Sequence, residues 1–68
     1  MNEKAMKASV DRFVKKVTFT TQREVEKAIR NALANGKLKG HETFTAGVKL
    51  TSEKVGLEIA IYSTIELA

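Results

Sequence analysis

The chain has no cysteine, no proline and no tryptophan, and His41 is the one histidine among its 68 residues. Without cysteine, neither a disulfide nor a thiolate metal site can reinforce a small core, and a reducing, cytoplasmic setting is the expected one. No apolar run approaches the roughly 20 residues needed to cross a bilayer. The opening stretch, residues 1–17, mixes charges throughout and holds no apolar block, so a secretory signal is not expected. A single histidine with scattered carboxylates makes no zinc or iron ligand set. General acid–base catalysis needs titratable groups paired in a pocket, and here His41 beside Glu42 reads as an exposed loop pair. The four glycines, Gly36, Gly40, Gly47 and Gly56, suit turns and a strand contact rather than a phosphate-cradling loop. No enzymatic activity, cofactor or metal is expected. Aromatic residues are also few, three Phe and one Tyr, which limits stacking on bases.

What remains is a small folded chain. A hydrophobic fraction of 43% with ordered periodicity argues against disorder. The length allows one domain, residues 1–68, in the size range where one apolar core is barely sufficient. Charge is unevenly spread. Residues 1–40 carry ten of the twelve Lys and Arg and four of the eight acids, a balance of +6, whereas residues 41–68 balance to −2. A basic half can mark a nucleic-acid face, and it can equally serve solubility or self-association.

The best-specified stretch is Thr20 to Gly40. Thr21 and Glu24 stand at the spacing of a capping box, which satisfies amides that a helix start leaves without partners. Val25, Ala28, Ile29, Ala32 and Leu33 then recur on one helical face, and Asn35-Gly36 supplies a stop. A helix over residues 22–35 is predicted. Ahead of it, Met6, Val10, Phe13, Val14 and Val17 form another apolar stripe, predicting a first helix from Asn2 or Glu3 to Lys16. Thr18-Phe19-Thr20 is read as the break between the two, with Phe19 turned into the core.

After Gly40 the period changes to two. Phe44, Ala46, Val48 and Leu50 alternate with polar residues, as do Leu57, Ile59, Ile61, Ile65 and Leu67. Ser63 interrupts the second row, so a bulge there, or a short third strand after it, is expected. A four-residue loop, Glu53 to Gly56, pairs Ser52 with Leu57, Leu50 with Ile59, Val48 with Ile61 and Phe44 with Ile65, putting the apolar residues on one face. The same register sets Tyr62 over Gly47 on the other face. These elements predict an α+β fold, a two-layer α-α-β-β arrangement with two amphipathic helices packed on an antiparallel hairpin. A two-stranded sheet is marginal alone and leaves both edges open. A homodimer through a sheet edge or the apolar face is therefore expected, and an unidentified protein partner is the other way to cover those surfaces.

Two further partners can be weighed on the same residues. Arg23, Lys27 and Arg30 cluster opposite the stripe of the second helix and, with Lys37 and Lys39, make a basic strip that phosphates could follow. The helix-turn-helix context that would sharpen this reading is missing, because Gly36 to Gly40 leads into strand pattern. A membrane-surface role is weaker, since the first helix needs its apolar face for the core and lacks the Trp of interfacial helices. The leading reading is a non-catalytic interaction or self-associating module, with weak sequence-independent nucleic-acid binding as the alternative.

The segments Thr21-Gln22-Arg23-Glu24-Val25-Glu26-Lys27-Ala28-Ile29-Arg30 and Ala34-Asn35-Gly36-Lys37-Leu38-Lys39-Gly40 resemble a family of small uncharacterised bacterial proteins of about this length, a domain of unknown function. The resemblance spans the chain and implies a bacterial, cytoplasmic protein. It brings no catalytic residues to carry over, and Tyr62-Ser63-Thr64 depart from the pattern.

Overall fold

A computed structural model describes residues 1–68. The chain falls into two compact units, Met1–Lys37 and Leu38–Ala68. In chain order the elements are one helix, α1 (Glu3–Ala34), strand β1 (Thr43–Ser52), a single 3-10 turn (Glu53–Val55) and strand β2 (Leu57–Glu66). The α+β class is as expected, but there is one helix where two were predicted.

Helix α1 begins as the sequence suggests. The Asn2 side chain accepts the Ala5 amide at 3.0 Å, and Glu3 places its charge on the positive end of the helix dipole. The expected break at Thr18-Phe19-Thr20 does not occur. Each β-branched or aromatic residue there costs a few tenths of a kcal/mol relative to alanine, well below the roughly 3 kcal/mol of a proline. Ending one helix and starting another would leave four carbonyls of the first and four amides of the second without partners and would require a second nucleus. Continuation therefore wins, and Thr21 lies inside the helix, so the capping box is unused. The Glu24 carboxylate instead accepts from Arg23 Nε at 3.2 Å. At the far end Asn35 N–H donates to the Asn31 carbonyl at 3.0 Å and Gly36 takes a φ of 84°, the expected stop.

Continuity changes what the apolar residues do. Thr21 lies four residues from both Val17 and Val25, and two successive four-residue steps turn the C-terminal stripe by about 80° from the N-terminal one. The two stripes become one ribbon winding slowly along a helix about 48 Å long.

The hairpin forms with the predicted register. Phe44 pairs with Ile65, Val48 with Ile61, Leu50 with Ile59 and Ser52 with Leu57 in one antiparallel ladder. Gly56 closes the turn at φ 66°, its amide donating to the Glu53 carbonyl at 3.1 Å. Ser63 pairs with Ala46 without a bulge, and β2 runs unbroken to Glu66, so the expected irregularity and third strand are absent. Two small side chains facing each other leave a shallow spot in the apolar face, and the backbone has no reason to bend there. On the outer face Lys49 Nζ meets Glu58 Oε1 at 3.3 Å, and the Tyr62 ring lies over Gly47. A Cβ added at Gly47 would come within 2.6 Å of that ring.

Neither unit buries a residue within itself. Val14 is 52% exposed, Ile61 51% and Phe19 66%. Each unit taken by itself is a surface with one apolar side.

Candidate functional site

Three features carry chemistry or recognition potential: the basic face of α1, the loop ahead of β1, and the apolar sides of the two units. On α1, the 100° step per residue places Arg23, Lys27 and Arg30 on one face, as expected. Two of the three are already engaged. Arg23 meets Glu24 at 3.2 Å and Arg30 meets the half-buried Glu26 at 3.3 Å, both arginines being exposed, so these pairs hold the arginines only weakly. The Arg23 guanidinium also stacks 5.5 Å from the centre of the Phe19 ring. Phe19 is thus a surface aromatic beside a cation and not the core residue the sequence suggested. A shallow hollow lies between Phe19, Gln22, Arg23 and Glu26.

Lys37 and Lys39, the other two candidates, are not on that helical face. Lys37 follows the helix, and its amide donates to Asn35 Oδ1 at 3.0 Å. Lys39 belongs to the second unit, where its amide serves a different purpose. The amides of Lys39, Gly40 and His41 converge on the Glu42 carboxylate, at 2.8 Å for Lys39, 2.9 Å for Gly40 and 3.1 Å for His41. Gly40, at φ 106°, supplies the left-handed residue that turns three successive amides toward one point. Such a nest is a general anion site, but here the chain's own Glu42 fills it. The Lys39 amide above all, with those of Gly40 and His41 behind it, holds the Glu42 carboxyl at about 2 against an ordinary value of 4.5. This role was not read from the sequence, where an acid two residues after a glycine was its one signal.

His41 contributes its backbone to that nest and stands exposed. No group of three or more His, Asp or Glu side chains is placed to hold a metal ion. No helix is long and apolar enough to cross a membrane.

The apolar sides are the most extensive feature. On the hairpin, Phe44, Val48, Leu50, Leu57, Ile59 and Ile65 share one face, while Thr43, Thr45, Lys49, Thr51, Glu58 and Thr64 share the other. On α1, Val17, Val25, Ile29 and Ala32 are half-buried, and Met6, Val10, Phe13, Val14 and Leu33 are exposed.

No curated protein and no solved structure is significantly similar to this chain. A family of unknown function, DUF6494, matches residues 1–68, the whole length, and the chain belongs to that family.

Proposed function

We propose that the chain is a non-catalytic self-associating module whose working form is a homodimer or higher oligomer. The observation that carries this reading is the coexistence of two continuous apolar faces with the absence of any buried residue. Neither unit has the interior that normally stabilises a domain of this size: a two-stranded hairpin is marginal in water, and most helices depend on packing of an apolar face.

A second copy is the occupant best matched to α1. A hairpin of ten-residue strands reaches about 34 Å. The apolar ribbon of the helix, from Met6 to Leu33, is about 40 Å long, so its ends need a longer partner. Another copy supplies a helix of equal length with the same ribbon. The ribbon positions Val10, Val14, Val17, Thr21, Val25, Ala28 and Ala32, apolar except for the small Thr21, recur about every 3.7 residues, slightly above the helix's own 3.6. Two such ribbons in contact wrap in the right-handed sense, unlike a heptad coiled coil. The bacterial, cytoplasmic setting that the sequence resemblance implies suits such a module.

The test is mass in solution by light scattering, from about 2 to about 200 µM, at low and high salt. The reading expects more than one chain per particle and little salt dependence, since apolar burial drives the contact. A folded monomer over the whole range would overturn it.

A further inference from the structure

We propose that the face of α1 carrying Arg12, Lys16, Phe19, Arg23, Lys27 and Arg30 is a track for single-stranded nucleic acid. The proposal follows from helix continuity. With a break at Thr18-Phe19-Thr20, Arg12 and Lys16 would belong to a different element from the other three cations. On one unbroken helix the six positions follow each other at steps of four, three, four, four and three residues. They occupy a sector about 80° wide and extend over about 27 Å of helix. All four acids of the helix, Glu3, Asp11, Glu24 and Glu26, fall outside that sector, and Glu26 is the one that borders it.

Charge complementarity selects a polyanion. Five cations in a row with no acid among them match a chain of phosphates, each contact releasing counterions. Lys16 and Lys27 have no ion-pair partner, and the acids paired with Arg23 and Arg30 lie at the surface, where phosphate oxygens can replace them. The aromatic residue selects a single strand over a duplex. Phe19 sits in the middle of the row, 66% exposed and off the apolar ribbon, with the Arg23 guanidinium on its ring. An unpaired base can stack on that platform, whereas a duplex keeps its base faces covered. A membrane is disfavoured by direction. The basic sector is turned by roughly 110° or more from the ribbon, so a helix lying in a bilayer surface would lift these cations away from the headgroups. The same orientation leaves the track outward when the ribbon is covered by another copy.

The experiment is fluorescence anisotropy of a labelled thymidine oligomer of about 20 nucleotides, titrated with the full chain at several salt concentrations. For single strands the affinity falls with salt at about 0.7 logarithmic units per phosphate contact. Five contacts predict a loss of about 100-fold between 50 and 200 mM salt. The Lys16→Gln/Lys27→Gln double variant is expected to reduce that loss to about 20-fold, because three contacts remain. Lys4→Gln/Lys15→Gln removes the same charge from outside the sector and is expected to leave the slope unchanged. Phe19→Leu is expected to weaken binding about fivefold or more at every salt concentration without altering the slope. Far-UV circular dichroism confirms that each variant keeps its helix. The proposal is overturned if the oligomer does not bind, if the two double variants flatten the slope equally, or if a duplex of the same length binds as tightly. Binding to phosphatidylserine vesicles in place of the oligomer would also overturn it.

Discussion

Replacing Gly47 with alanine should fail to stabilise the hairpin, and the reason lies across the sheet. Alanine in a strand interior normally stabilises by about 0.4–1 kcal/mol relative to glycine, through the entropy of the unfolded chain. At Gly47 the new Cβ would lie 2.6 Å from both Cδ1 and Cε1 of Tyr62, so the ring must leave. Tyr62 is 71% exposed and has room to move, but it gives up a cross-strand contact of about 0.2–1 kcal/mol. An off-rotamer compromise would cost a further 0.5–1.5 kcal/mol or so. The gain is cancelled or reversed, and Gly47→Ala is expected to be neutral to destabilising by about 1 kcal/mol. In a Tyr62→Ala background the obstacle is gone, and the same substitution should stabilise by about 0.4–1 kcal/mol. Urea unfolding of the four proteins at one fixed concentration completes the double-mutant cycle, with an expected coupling near 1 kcal/mol. Equal stabilisation in both backgrounds would show that the ring does not lie over Gly47.

Three other perturbations probe separate parts of the account. Thr21→Ala should stabilise by about 0.5 kcal/mol if Thr21 is inside a continuous helix. It should instead destabilise by about 1 kcal/mol if Thr21 caps a second helix, so thermal unfolding gives opposite signs for the two structures. Glu42 has a folded-state pKa of about 2, depressed from 4.5, so its contribution is present above pH 4.5 and lost as the pH falls toward 2. Glu42→Gln should remove that acid-side loss, and unfolding curves of the two proteins that stay parallel through this range would contradict the nest. Val14→Lys places a charge on the apolar ribbon and is expected to weaken association by about 100-fold or more, while Lys15→Gln, off the ribbon, leaves the mass unchanged.

The hairpin was legible in the sequence almost residue by residue, and the helix was not. Alternation over ten positions and an apolar row on each strand exclude a slip by one residue, and Gly56 selects the four-residue loop over a two-residue loop at Glu53-Lys54 that would keep the same faces. Pairing Leu50 with Ile59 and Tyr62 with Gly47 follows from that constraint. The segment Thr18 to Thr21 offers no such cross-check. Threonine caps helices well and also tolerates their interior at small cost, so local chemistry supports either state, and the choice falls to cooperativity along 32 residues. Phe19 was misplaced for the same reason, since its side of the helix depends on whether the helix continues. Ser63 was read as a fault in the strand because only its own row was considered; Ala46 opposite makes it ordinary. Among the basic residues, Arg23, Lys27 and Arg30 share a face of the one helix, whereas Lys37 and Lys39 follow its end. Glu42 was passed over because its partners are amides brought together by Gly40, which carry no side-chain signature.

The claim that copies of this chain complete one another is tested most directly by the thermal midpoint as a function of concentration. Raising the chain concentration from about 2 to about 200 µM contributes about 2.7 kcal/mol to a dimer. Spread over the unfolding entropy of two 68-residue chains, that moves the midpoint by about 10 °C. The account predicts a rise of that size in circular dichroism melts. Coincident midpoints with a cooperative transition would mean that a single chain stabilises itself, and the self-association reading would be wrong.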